Sequence, residues 1–255
     1  MEITLKQYES IDPIYQLSIG NVSVSFCTPS EGMKWRVETL LSKEPATIEW
    51  ISEFKRDEIL LDIGANVGMY TIWAAQTRGA KVFAFEPESQ NYALLNRNIV
   101  INQLGNQVCA YCTAISDTVG FDYLYLGRFS AGSSANTFGE KIDFKYRPLH
   151  PAYSQGCFST TIDHLVTSGV LPIPQYMKID VDGLEPKVIR GAKETIKDEN
   201  FKSILVEINQ NLEDHMETVK FLENCGFVFS QDQVDSSTRK DGPFKGIAEY
   251  VFRRQ

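Results

Sequence analysis

The sequence predicts an α/β fold of the Rossmann-like kind, a mostly parallel sheet with helices against it, and three observations carry that expectation. An apolar run, Ile59–Leu61, feeds Asp62-Ile63-Gly64-Ala65-Asn66-Val67-Gly68 and then a helical pattern from Tyr70 to Gln76. Strand, tight turn and helix in that order open a nucleotide-binding unit. A second apolar run, Lys81–Phe85, ends in Glu86-Pro87, 24 residues after Asp62. Further on, apolar runs alternate with amphipathic segments, the alternation that builds a sheet with crossover helices.

The first turn is a ligand loop. Gly64 and Gly68 lack a Cβ, so backbone amides can approach a ligand and the next helix can pack on its strand. A dinucleotide fingerprint needs G-x-G-x-x-G, whereas this loop reads D-x-G-x-x-x-G, with Asp62 in place of the first glycine. A carboxylate there repels a diphosphate and pairs with a cationic amino acid group. S-adenosylmethionine carries that group and no phosphate. Glu86, at the carboxyl end of the second strand, stands where ribose hydroxyls are accepted in nucleoside-binding α/β folds. The cofactor set on this reading is Asp62, Gly64, Ala65, Asn66, Gly68, Thr71, Glu86 and Pro87.

Two further blocks follow: Lys178-Ile179-Asp180-Val181-Asp182-Gly183-Leu184-Glu185 and Arg190-Gly191-Ala192. With the Asp62–Gly68 loop and Phe85-Glu86-Pro87, they resemble the motifs of FkbM-type S-adenosylmethionine-dependent methyltransferases, in that family's order, from about Glu58 to the C-terminus. The first block suits many class I methyltransferases; the Lys178–Glu185 block is the more specific. The resemblance implies a seven-stranded sheet with the last strand antiparallel, and methyl transfer to a hydroxyl of a sugar or natural product. It also places the end of the third strand, Thr113, Ala114 and Ser116, beside the adenine.

With 255 residues and 43% hydrophobic content, the chain can fill one sizeable catalytic domain, 58–255, preceded by an accessory segment, 1–57. That segment would cap the cofactor, shape the acceptor pocket, or serve as a packing or homo-oligomer element. A net charge of -8, with no basic run longer than Arg253-Arg254, argues for a small-molecule or carbohydrate acceptor and against nucleic acid. Five scattered cysteines argue against a disulfide framework and for a reducing compartment. The C-x-x-C of Cys109 and Cys112 has no second pair or histidine nearby and reads as small core residues. No signal peptide and no membrane-length apolar run is visible, so a cytoplasmic protein without membrane insertion is expected.

In order, Tyr15–Phe26 suggests one or two strands and Glu44–Phe54 a helix, followed by the strand–helix–strand unit Ile59–Phe85. Ser89–Asn102 reads as a helix with Tyr92, Leu95 and Ile99 on its apolar stripe, and Val108–Ile115 as the third strand. After a short strand at Phe121–Leu126 the pattern fades. The polar stretch near 127–157 is expected to be an acceptor lid holding Tyr146, His150 and Tyr153. Thr161 or Asp163 caps a helix, Tyr176–Ile179 is the fourth strand, and Glu185–Ile196 a helix with Pro186 in its first turn. Phe201–Ile208 is the fifth strand and Leu212–Asn224 a helix. Phe227–Ser230 and Ile247–Phe252 form a hairpin across a flexible Asp232–Gly242.

An alcohol acceptor needs a base or a metal to take its proton. Asp180 is the first candidate base and also an expected cofactor contact, His150 is the second candidate base, and Asp182 lies beside Asp180 over the transferred methyl. A hard cation such as Mg2+ would find oxygen ligands in Asp180, Glu207 and Asn209. The N/D-P-P-aromatic turn of amide and base methylation is missing, so oxygen is the expected acceptor atom. The expected function is O-methylation of a sugar hydroxyl on a glycan precursor. The alternatives are a secondary-metabolite (polyketide-like) acceptor and a binding protein that kept the cofactor fold without catalysis. An NAD-dependent oxidoreductase is disfavoured by Asp62.

Overall fold

The structure, a computed structural model, describes residues 3–255. Helix α1 (Leu5–Glu9) is closed by a reciprocal Thr4–Gln7 capping box. Strands β1 (Ile14–Ile19) and β2 (Val22–Cys27) form an antiparallel hairpin, as the pattern over Tyr15–Phe26 predicts. Helix α2 (Glu31–Glu38) starts at Ser30, whose hydroxyl accepts from the Met33 amide, and α3 (Pro45–Ser52) carries proline in its first turn. The sequence did not reveal α2, because only Met33 and Val37 on it are buried.

The nucleotide-binding unit is β3 (Ile59–Ile63), α4 (Met69–Arg78) and β4 (Lys81–Phe85), followed by α5 (Ser89–Ile101) and β5 (Val108–Tyr111). Helix α4 stops at Gly79 in the left-handed region, and α5 starts where the Glu88 carboxylate accepts from the Gln90 and Asn91 amides. The expected third strand divides. Its end, β6 (Ala114–Ile115), leaves the main sheet and runs parallel to β9 (Tyr153–Thr160) in a second sheet with β7 (Gly120–Leu126) and β8 (Asn136–Phe138). Cys109 and Cys112, expected in the core, are exposed at this departure, and all five cysteines are free.

The C-terminal half runs α6 (Ile162–Thr167), β10 (Tyr176–Ile179), α7 (Glu185–Arg190), α8 (Lys193–Lys197), β11 (Ser203–Asn209), α9 (Glu213–Asn224), β12 (Phe227–Val228), α10 (Gln231–Ser237) and β13 (Ile247–Arg254). Thr161 caps α6, while Asp163 caps α8 through the Glu194 and Thr195 amides. The single helix expected over Glu185–Ile196 breaks at Gly191, where the backbone lies so close to the Ser116 carbonyl that a Cβ would overlap it. The stretch read as flexible contains α10, anchored by buried Val234.

The main sheet has the order β12-β13-β11-β10-β3-β4-β5, and β13 alone runs antiparallel to its neighbours. This is the expected seven-stranded arrangement. Strand order reverses between β3 and β10, which pair with Asp62 opposite Lys178, so the ligand crevice of an open α/β sheet opens above their carboxyl ends. One apolar layer joins Phe26, Val37, Trp50 and Phe54 to Ile72 and Leu95; the other joins Val188, Ile196 and Leu222 to Phe201. The segment before β3 therefore shares its core with the domain, and the Trp50 indole donates to Ser203 Oγ at 2.8 Å. Among the described residues no helix is long and apolar enough to cross a membrane.

Candidate active site

Between β3 and α4 the chain doubles back over β4: the amides of Gly64 and Ala65 both donate to the Phe85 carbonyl at 3.0 Å. Gly64 has φ +79°, and a Cβ there would overlap the Asp180 carbonyl oxygen, so only glycine lets the two strand ends meet. Gly68 (φ +84°) serves packing instead, against Leu95. Glu86, buried at the end of β4, accepts from the Asn66 amide (2.8 Å) and the Glu88 amide (2.9 Å). Burial pushes its carboxyl up to about 7, against the pull of these amides.

Three cavities share Gly64 in their walls. The central one, about 450 Å³, takes in Glu86, Pro87, Asn91, Asp180 and Asp182. A second, about 50 Å³, reaches Asp62, Ala65, Tyr70 and Lys178, and a third, about 40 Å³, reaches Pro87, Ala114 and Ser116. Thr113 lines none of the three, and Thr71 acts on the site through Asp62, donating to Oδ2 at 2.5 Å. Asp62 Oδ1 is buried without a hydrogen-bond partner. An orphaned carboxylate oxygen at one end, a glycine cradle in the middle and a buried carboxylate at the carboxyl end of β4 fit the ammonium, backbone and ribose of S-adenosylmethionine.

Lys178, on β10, is buried, with its ammonium 3.2 Å from Asp180 Oδ2 and 5.2 Å from the Tyr70 ring centre. Burial alone would lower Lys178, but Asp180, Asp62 and Glu44 outweigh it and hold the ammonium charged. For Asp180, burial pulls upward and is overcome by Lys178 and Lys43, so its carboxyl sits below the usual range. Asp182 differs. It has φ +56°, its Oδ2 accepts from the Ala135 and Asn136 amides (2.7 and 3.3 Å), and burial together with the Asp180 charge pushes it up to about 6.

The expected lid region, 127–157, is mostly loop, with β8 and the start of β9 its only strands. Its 130–136 stretch is laced to the cofactor loop: Asn66 Nδ2 and Asn91 Nδ2 donate to the Ser133 carbonyl, and Arg36 Nε to that of Gly132. Ser133, Ser134 and Asn136 thereby line the central cavity. The residues expected there do not. Tyr146 donates to Asp214 Oδ2 at 2.6 Å, Tyr153 packs on Phe129, and His150 is exposed away from the cavity wall. Strands β8 and β9 each pair with β7, and His150, in the connection between them, lines none of the three cavities that share Gly64.

The expected cation ligands are also rearranged. Asn209 Oδ1 accepts from the Asn211 amide and side chain, and its Nδ2 donates to the Phe144 carbonyl. Asp180, Glu185 and Glu207 can instead bring one oxygen each within 4.8 Å of one another. All three are engaged: Asp180 with Lys178, Glu207 with Arg239 at 2.8 Å, and Glu185 Oε1 with the Val181 and Gly183 amides. Burial pushes Glu185 up to about 8; its Oε1 braces the Asp180–Gly183 turn through two amides, and its Oε2 is buried without a hydrogen-bond partner. His215, buried beside it, uses Nδ1 to accept from the Asn209 amide.

Trp35, Arg36, Lys43, Glu44, Asn91, Arg239 and Phe244 also line the cavity, and none was legible as a site residue. They come from α2, its following loop, α5 and the β13 approach, so no single spacing connects them.

The switch-point crevice, the glycine cradle and the strand-end carboxylates define a Rossmann-like enzyme of the methyltransferase class. Residues 62–229 match the Methyltransferase FkbM domain, and the chain belongs to that family of S-adenosylmethionine-dependent methyltransferases. It is 25% identical over 198 residues to the hexuronic acid methyltransferase AglP of Haloferax volcanii, covering 76% of this chain and 74% of that one. Methyltransferase FkbM from Methylobacillus flagellatus superposes with a TM-score of 0.51 at 13% identity, over 78% of this chain and 44% of that one. This chain thus spans under half the length of that structure. M. jannaschii TYW2 in complex with AdoMet is a more distant likeness, with a TM-score of 0.47 at 14% identity, over 96% of this chain and 89% of that one.

Proposed function

We propose that this enzyme transfers the methyl of S-adenosylmethionine to a hydroxyl of a sugar, with Asp182 as the general base. The observation that carries the base is the contrast between neighbouring carboxyls, with Asp180 held low by Lys178 and Asp182 pushed up to about 6. A base poised near neutrality takes a hydroxyl proton more readily than one held low. Asp182 Oδ2 is fixed by two amides, which leaves Oδ1 for the acceptor.

The sulfonium supplies an electrophilic methyl and a neutral thioether leaving group. The protein's task is to align the acceptor oxygen with that methyl, exclude water and take one proton onto Asp182. Trp35 and Phe244, both exposed in the cavity wall, supply aromatic surface for a sugar acceptor, and the uronic-acid substrate class in the relative's name supports this acceptor class. The five free cysteines support a cytoplasmic setting.

The test is transfer of a labelled methyl from S-adenosylmethionine to a panel of free and glycosidically linked hexoses and hexuronic acids. Methyl ether formation on one ring hydroxyl is expected. Turnover of aromatic or polyketide alcohols with no sugar turnover would overturn the acceptor assignment, and saturable cofactor binding without any transfer would indicate a binding protein.

A further inference from the structure

A second cavity, about 700 Å³, lies beside the acceptor mouth, and Arg239 stands in the walls of both. Its other cationic wall residues are Lys145, Lys240 and Lys245, and among the described residues its wall carries no carboxylate. Four cationic side chains around one concavity concentrate positive potential locally in a chain whose net charge is -8. Arg239 is paired with Glu207, whereas Lys145, Lys240 and Lys245 take part in no salt bridge among the described residues.

The cavity is built rather than incidental. Three separate segments form it, and asparagines tie them together. Asn209 Nδ2 donates to the Phe144 carbonyl, which positions the neighbouring Lys145, and Asn211 Nδ2 donates both to Asn209 Oδ1 (2.9 Å) and to the Lys245 carbonyl (3.0 Å). The Arg239–Gly246 loop is closed on itself by Gly246 N to the Arg239 carbonyl, and Gly246 (φ +83°) is the position where a Cβ would strike Asn211. Phe144 and Phe244 stack at 4.7 Å between two of these segments, and Phe244 faces the acceptor cavity.

We propose that this basic cavity is an anion subsite that holds a phosphate or diphosphate attached to the sugar acceptor. The inference rests on the sugar-acceptor reading above and specifies it: the methylated sugar arrives on a phosphate-bearing carrier while its ring lies along Phe244 toward Asp182. A diphosphate presents several oxygens to donors on separate segments, as this wall does, and lysines bind phosphate as point charges that tolerate variable geometry. A nucleoside-diphosphate sugar and a prenyl-diphosphate-linked sugar share this chemistry.

The experiment is a calorimetric titration of the full chain with inorganic pyrophosphate, with S-adenosylmethionine titrated separately. Wild type should bind pyrophosphate saturably at one site. The Lys240→Ala/Lys245→Ala double variant should bind it at least tenfold more weakly while keeping wild-type affinity for S-adenosylmethionine. Absent saturable pyrophosphate binding, or equal binding by both proteins, overturns the subsite. Loss of S-adenosylmethionine binding by wild type would strike the methyltransferase reading instead, and the two results are read independently. Competition then separates the sources. Displacement of pyrophosphate by a uridine-diphosphate sugar identifies a nucleotide carrier, and displacement by a short-chain prenyl-diphosphate sugar in detergent micelles a lipid carrier. If neither displaces it, the link to the acceptor fails. With the carrier that competes, the double variant should raise KM at least tenfold and leave kcat within twofold.

Discussion

Gly64 and Asp180 meet backbone to backbone at the reversal of strand order, with no room for a methyl group between them. The loop after β3 and the turn after β10 thus pack directly on each other. Gly64→Ala adds a clash to left-handed strain, which costs ~1–3 kcal/mol by itself. The variant should lose at least tenfold in S-adenosylmethionine affinity by calorimetry and several degrees in Tm. Gly20→Ala, also at positive φ but with open space around it, should bind the cofactor as wild type does.

Asp182→Asn removes the base while keeping the bulk and the hydrogen-bonding shape of the side chain. A drop in kcat of ~10²–10⁴ is expected, with S-adenosylmethionine affinity changed less than threefold. The wild-type kcat/KM profile should rise with pH through an inflection near 6, and the variant should lack it. If the variant kept both the rate and the inflection, Asp182 would not be the base.

Glu86, pushed up to about 7 in the free enzyme, should be drawn down when ribose hydroxyls donate to it. Binding then releases a proton. Affinity should increase as pH rises through 7 and weaken below it, by up to ~10-fold for each pH step of one. Titrations in two buffers of different ionisation enthalpy would read the proton directly, and the release should vanish in Glu86→Gln.

The apo enzyme should show the opposite pH trend in stability. Glu86, Glu185 and Glu249 have carboxyls pushed up to about 7, 8 and 8, all by burial first, from an ordinary 4.5. The folded state therefore holds protons that the unfolded chain releases. Their stabilisation is complete below pH 4.5 and is lost as pH rises through 7 to 8. Each tenfold gain in proton affinity on folding is worth ~1.4 kcal/mol, so a Tm that falls steadily between pH 5 and 8.5 is expected by calorimetric scanning. Glu185→Gln should flatten that slope.

His150→Ala should leave kcat and KM within twofold, because the imidazole is exposed outside the cavity. Turnover should likewise survive a chelator, since Asp180, Glu185 and Glu207 already have protein partners and Asn209 is spent on a turn. Activity abolished by chelator and restored by Mg2+ would return the metal to the mechanism.

What is local in this protein was legible along the chain. Asp62, Gly64, Glu86 and the Lys178–Glu185 block are each a strand end followed by a turn, so a few contiguous residues set their conformation, and the family resemblance they carry implied the seven-stranded sheet. The 127–157 stretch has no such periodicity. Its place is fixed by β7 and β9 pairing and by hydrogen bonds from the Asn66 and Asn91 side chains and to the Asp182 carboxylate, the hydrogen bonds spanning 42 to 67 residues of chain. Those bonds bring Ser133 and Asn136 to the cavity, which His150 does not line. The choice between Asp180 and Asp182 was likewise tertiary. The two carboxyls are alike in sequence, and only the ammonium of Lys178 beside one and the backbone amides closing over the other separate their proton affinities.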